Sequence, residues 1–150
     1  MTKSIASDVL VIGGGLAGIV TAIECLNAGQ SVTLVDRDSP DRLGGLALWA
    51  FGGMALIDTP LQRKMKIIDS PEIAMADWLR FGELGEDDFL PRQWAKYYVE
   101  HSRAEVHDWL LGHGLKFMPA VNWVERGMLG DGNSVPRYHV VWGRIGNSTA

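Results

Sequence analysis

Four apolar residues, Val9 to Ile12, follow the charged Asp8 and stop at Gly13. A run this short, β-branched and closed by glycine, predicts a buried strand. Residues 1–7 before it read as a ragged terminus. Gly13-Gly14-Gly15 is a turn, and residues 16–28 then change to helical spacing, with Ile19, Ala22, Ile23 and Leu26 on one face. Gly29 is a natural helix stop, because glycine tolerates the left-handed conformation. Residues 31–35 alternate and end at Asp36, which predicts a second strand. Strand, tight turn, helix, glycine and strand make one βαβ unit, whose two strands should be parallel.

Past Asp36 the chain carries two glycine doublets within residues 37–58. Ser70 before Pro71 and Glu72 predicts a helix N-cap with proline at the first helical position, and a helix to about Phe81. An acidic, solvated loop with Glu83, Glu86, Asp87 and Asp88 follows. Pro91 should open a longer helix ending near residues 112–114, with Trp94, Tyr98, His101, Glu105 and Trp109 along one stripe. From Leu115 onward the pattern predicts short strands and turns, punctuated by Gly127, Gly130 and Gly132. Three parts result: residues 1–55 as the βαβ unit with the glycine doublets, 56–114 as a helical part, and 115–150 as short strands.

Composition narrows the function classes. At 150 residues, 47% hydrophobic and 21% charged, the chain suits a soluble globular domain. A net charge of −4 without a long basic run argues against a nucleic-acid groove. The single cysteine, Cys25, rules out an internal disulfide and a cysteine zinc cage, and fits a reducing cytoplasm, the expected location. No stretch reaches the length of a membrane span. Oligomeric state stays open.

The chemistry sits in Gly13-x-Gly15-x-x-Gly18. Alone that pattern is weak. Here it follows a strand, opens a helix and precedes a second strand that ends in an acid, Asp36. Gly13 permits the tight turn, Gly15 lets a pyrophosphate approach the backbone, and Gly18 lets the helix pack close to the strand. The helix start offers unpaired N–H groups and a positive dipole end. Asp36 can accept a ribose 2′-hydroxyl and should repel a 2′-phosphate, although Arg37 beside it softens that repulsion. The bland alternative is a glycine turn that binds nothing.

Gly44-Gly45 and Gly52-Gly53, six residues apart, point further. Paired glycines let backbone amides come close to something bulky or anionic. A nicotinamide dehydrogenase has no obvious need of such a stretch, whereas a dinucleotide with a tricyclic ring does. Two ordinary turns around an apolar core strand would give the same spacing.

The run from Val9 to Asp36, with Gly44-Gly45 and Gly52-Gly53-Met54, resembles the flavoprotein family of succinate dehydrogenase and fumarate reductase. That family also holds 3-ketosteroid dehydrogenases, L-aspartate oxidase and many bacterial FAD-binding dehydrogenases, the nearest group. The resemblance is strongest over residues 8–54. It implies an α/β fold with a Rossmann-like FAD-binding βαβ core and a helical insertion, incomplete in this chain. It implies FAD held by Gly13, Gly14, Gly15, Leu16, Ala17, Gly18, Asp36, Arg37, Gly44, Gly45, Gly52 and Gly53. Relatives that attach FAD covalently use a histidine in the second glycine stretch, and none stands there, so non-covalent FAD is expected. The implied chemistry is hydride transfer between a carbon of a small-molecule substrate and the flavin. Relatives run to several hundred residues and supply proton-transfer groups from regions beyond those matched here. The catalytic residues therefore go unassigned, and a truncated remnant binding FAD weakly or not at all, or an NAD-dependent oxidoreductase, are the rival readings.

Other residues carry weaker signals. His101, His107 and His113 are six apart, so on a helix each is turned by roughly 240° from the last, and they cannot share a face as metal ligands. They read as solvated or helix-end residues, and no metal site is expected. Trp78, Trp94 and Trp109 read as core, Trp49 as packing and Cys25 as a small core residue. Tyr138, His139 and Arg144 could mark an early cap or a substrate-facing surface.

Overall fold

The structure is a computed structural model describing residues 4–50, 52–118, 124–126 and 131–142. The architecture is mixed α/β, in two compact units, Met1–Phe51 and Gly52–Ala150. Gly127, Gly130 and Arg144 lie outside the described residues.

In the first unit β1 (Val9–Ile12) and β2 (Val32–Val35) run parallel, in register from Val9 opposite Val32 to Ile12 opposite Val35, with α1 (Leu16–Asn27) between them in sequence. Their starts are tied by Asp8, whose Oδ2 accepts from the Ser31 N–H at 2.8 Å and the Ser31 hydroxyl at 2.6 Å. Gly29 ends α1 at φ +79, and the Gln30 N–H closes on the Cys25 carbonyl at 3.0 Å. The strand expected to be buried is covered on one face only. Val11 is 8% exposed and its side chain lies toward Gly18 of α1, while Leu10 and Ile12 are 59% and 81% exposed. Alternate residues point to opposite faces, and the other face of this two-stranded sheet has no layer over it among the described residues of the unit. Trp49, expected to pack, is also exposed, as is Leu26, and Cys25 is half-buried.

In the second unit β3 (Gly53–Ala55), β5 (Tyr138–Trp142) and β4 (Lys116–Phe117) form an antiparallel sheet with β5 central. Between β3 and β4 come α2 (Pro60–Lys64), α3 (Pro71–Phe81), α4 (Phe89–His101), a π-helical stretch (Ser102–Asp108) and α5 (Trp109–Gly112). The Ser70 cap forms as expected, its hydroxyl accepting the Ile73 N–H at 3.2 Å. Thr59 and Gln62 form a reciprocal capping box on α2. The long helix begins at Phe89, with Pro91 inside its first turn, and loosens to π geometry after His101.

Its inward face meets the aromatic stripe at Tyr98, which packs against the core, but not at Trp94. Ala95, Val99, Ser102 and His107 are buried, while Trp94 is 72% exposed. The reason is packing distance: Val99 meets Ala74 of α3 and Ile57 in the core, an approach that small and medium side chains allow. Trp78 is partly exposed and Trp109 stacks on His113 at 3.9 Å, so neither is a core residue. The acidic loop is solvated at Glu83, Glu86 and Asp87, as expected.

Candidate functional site

The turn after β1 gathers much of the expected set within the first unit. Gly13 sits at φ +102, a value glycine adopts without strain, and its N–H donates to the Val35 carbonyl at 2.8 Å. The next N–H, of Gly14, donates to Oδ2 of Asp36. The Asp38 N–H donates to Oδ1 at 2.8 Å. Asp36 is exposed, yet the amide of Asp38, then that of Gly14, and the Arg37 charge hold its carboxyl below the usual carboxylate range.

The glycines differ in what keeps them small. A Cβ on Gly14 would collide with the Leu43 side chain, and one on Gly18 with the Gly13 carbonyl. Gly18 is thus required by the close approach of α1 to the turn. Gly15 has no such neighbour: nothing lies within 4 Å of where its Cβ would be, and φ is an ordinary −76°. Neither backbone nor packing demands glycine there, but a ligand lying against the backbone would. Gly15 is also the N-cap of α1, with no side-chain cap and no acid in the first turn. The first amides of the helix, on Leu16, Ala17 and Gly18, are therefore available to an anion, with the helix dipole behind them.

The first doublet lies against this turn. The Gly44 N–H donates to the Gly14 carbonyl at 2.8 Å, and a Cβ on Gly45 would come 3.7 Å from the Gly15 Cα. Both residues have positive φ, +122 and +57. Between them and the second doublet runs a 3₁₀ turn, Gly45–Trp49, rather than an apolar core strand. Gly52 and Gly53 belong to the second unit. Gly52, at φ +73, accepts the Val141 N–H at 3.2 Å, and Gly53 pairs opposite Val140, where a Cβ would collide with the Tyr138 hydroxyl.

The sequence matches the FAD binding domain family over residues 8–150. The chain belongs to that family. A KsdD-like steroid dehydrogenase of Mycolicibacterium smegmatis is 46% identical over 143 residues, which is 91% of this chain and 26% of that protein. A fumarate reductase (cytochrome) of Shewanella frigidimarina is 34% identical over 139 residues, 93% of this chain and 22% of that one. The crystal structure of a 3-ketosteroid-delta4-(5alpha)-dehydrogenase from Rhodococcus jostii RHA1, in complex with 4-androstene-3,17-dione, superposes with a TM-score of 0.68 at 28% identity, covering 90% of this chain and 30% of that chain. The chain spans about a quarter of the length of the curated relatives it matches.

The dinucleotide is therefore FAD, and the turn fits it. The free space over Gly15 and the uncapped start of α1 suit a pyrophosphate, and the Asp36 carboxylate, braced on two amides, still has lone pairs for a ribose hydroxyl.

Outside the glycine segments some expectations need correction. His139 is fully buried rather than surface-facing, and Tyr138 lies half-buried over Gly53. His107 is not solvated: it is 3% exposed, bonded to Asp108 at 2.6 Å and stacked on Phe117. No group of His, Cys, Asp and Glu among the described residues could hold a metal ion. Sequence reading missed a buried polar set, Thr59, Gln62, Asp69, Asp77 and Arg137. The capping pair Thr59 and Gln62 was a legible signal; the rest carry none at local spacing.

Proposed function

We propose that this chain is the FAD-binding part of a flavin-dependent oxidoreductase of the ketosteroid dehydrogenase and fumarate reductase type. The observation that carries the reading is Gly15, a glycine with open space over it at an uncapped helix start. In a Rossmann-like core this is where a pyrophosphate meets the backbone. Gly13, Gly14, Gly15, Leu16, Ala17 and Gly18 would hold the pyrophosphate, Asp36 with Arg37 the adenosine ribose, and Gly44, Gly45, Gly52 and Gly53 would lend backbone toward the rest of the cofactor. FAD is held without a covalent bond, since no histidine stands between Gly44 and Met54.

Bound FAD supplies hydride transfer to or from a substrate carbon, and this chain supplies binding and orientation. The substrate class we assign is small and carbonyl- or carboxylate-bearing, on the names of the relatives. No helix among the described residues is long and apolar enough to cross a membrane, and we place the protein in the cytoplasm. The test is a titration of the chain with FAD, followed by flavin fluorescence, with NAD as competitor. Weak saturable binding of FAD that NAD does not displace is the expected result. Preference for NAD, or flavin that stays with the acid-denatured polypeptide, would overturn the reading.

A further inference from the structure

A closed ring of hydrogen bonds runs through the interior of the second unit. Arg137 grips Asp69 in bidentate fashion, Nε to Oδ2 and Nη2 to Oδ1, both at 2.9 Å. Gln62 Nε2 donates to the same Oδ2 at 3.0 Å. Gln62 Oε1 accepts the Thr59 N–H at 2.9 Å. Thr59 Oγ1 meets His139 Nε2 at 2.8 Å, and His139 Nδ1 meets the Arg137 carbonyl at 2.7 Å, which closes the ring. All five side chains are buried.

The last bond fixes which nitrogen carries the proton in the neutral imidazole. A carbonyl oxygen only accepts, so Nδ1 carries the proton and the neutral ring's Nε2 accepts from the Thr59 hydroxyl. The Arg137 carbonyl also accepts the Leu56 N–H at 2.9 Å, so the ring is fastened to the chain just past β3. His139 itself lies opposite Met54 in the β3–β5 ladder.

Such a fastening answers a need. β3 has three residues, the first a glycine, and a strand so short and so poor in side chains specifies its own register weakly. We propose that His139, Thr59, Gln62, Asp69 and Arg137 are positioning residues that set the register of β3 against β5 and so fix the backbone of Gly52, Gly53 and Met54. The consequence for the cofactor rests on the FAD reading given above. The register itself does not.

Hydrogen exchange and FAD titration separate the two. Thr59→Val removes the hydroxyl at nearly constant shape, Thr59→Ser keeps it, and His139→Asn keeps a donor near Nδ1 while deleting the Nε2 arm. Thr59→Val and His139→Asn should speed exchange of the Leu56 and Val141 amides by about tenfold or more, leaving amides of α3 and α4 unchanged. Thr59→Ser should match the parent chain. FAD affinity should fall in the first two variants and hold in Thr59→Ser. Uniform acceleration through α3 and α4, or no local acceleration, would overturn the positioning role. Faster local exchange with unchanged FAD affinity would refute its link to the cofactor. Parent chain that binds no FAD would sink the functional reading while the exchange result still decides the register.

Discussion

The carboxylate of Asp36 accepts the backbone N–H of Gly14, 22 residues earlier, so the acid that ends β2 also braces the turn that ends β1. With the Asp38 amide on its other oxygen, Asp36 is held in place before any ribose arrives. Asp36→Ala should weaken FAD binding by about ten- to a hundredfold, losing both the ribose contact and the brace. Asp36→Asn, which keeps an acceptor for one amide, should lose less. The depressed carboxyl adds a pH expectation: the group stays ionised below the usual carboxylate range, so FAD affinity holds through mildly acidic pH before falling. Titrations of both variants check this, and equal affinity in Asp36→Ala and the parent chain would remove Asp36 from the site.

Gly15 and Gly18 should fail in different ways when given side chains. Gly15→Val places its new atoms in open space, so thermal unfolding should be nearly unchanged while FAD binding is abolished. Gly18→Ala drives a methyl into the Gly13 carbonyl, and should cost about 1–3 kcal/mol of stability before any ligand is added. Paired melting curves and FAD titrations distinguish them. A Gly15→Val protein with normal FAD affinity would mean that the pyrophosphate does not lie on this turn.

The difference between the legible and the illegible is one of range. The βαβ unit and the Ser70 cap could be read because each rests on neighbours within a few residues: apolar periodicity, glycine stops, a hydroxyl reaching Ile73. The buried polar ring could not, since Thr59 meets His139 across 80 positions and Arg137 meets Asp69 across 68. Trp94 on α4 was misplaced for a related reason. Periodicity shows that Trp94 shares a face, but only the partner helix, with Ala74 at the contact, decides that Ala95 and Val99 turn inward. The glycine doublets show both cases: Gly44 and Gly45 lie on the nearby turn, while the fit of Gly53 depends on the distant Tyr138.

Acid should destabilise the second unit in two pH windows. Burial pushes the His139 ring below its ordinary value; the Arg137 carbonyl pulls it up, His107 pushes it down, and Asp69 pulls it up again. A histidine depressed in the folded state contributes stability above its unfolded value, near 6.5, and loses it as pH falls. The second window belongs to Asp77. Burial alone would raise its carboxyl, but the Ser134 N–H, Arg137, the Ser134 hydroxyl and Arg80 outweigh that and bring it down to about 2. Its contribution is full above the usual carboxylate value of 3.8 and is lost as pH falls through about 2. Denaturant midpoints measured by circular dichroism at a series of pH values should fall in both windows, with the first fall reduced in His139→Asn. Asp77→Asn leaves Arg137 with one acid partner and should cost about 3 kcal/mol at neutral pH. A flat profile from pH 7 to 4 would argue that His139 is not held neutral.

The 150-residue chain by itself should be a poor holder of FAD and inactive as an enzyme. The reason lies in the first unit's surface. Parallel strands occur almost only with both faces covered, yet Leu10 and Ile12 are open to solvent on one face of β1. Leu46 and Trp49, on the 3₁₀ turn after the first doublet, are also exposed, at 88% and 80%. Apolar surface of this kind favours self-association over a stable monomer. A flavin on such a unit would lack the enclosure that keeps water from hydride transfer. Light scattering should therefore show association that rises with concentration, and Leu46→Gln with Trp49→Gln should reduce it. Steroid and dicarboxylate substrates should give no turnover with FAD present. A monomer that holds stoichiometric FAD and turns over either substrate would show that these exposed side chains need no further cover.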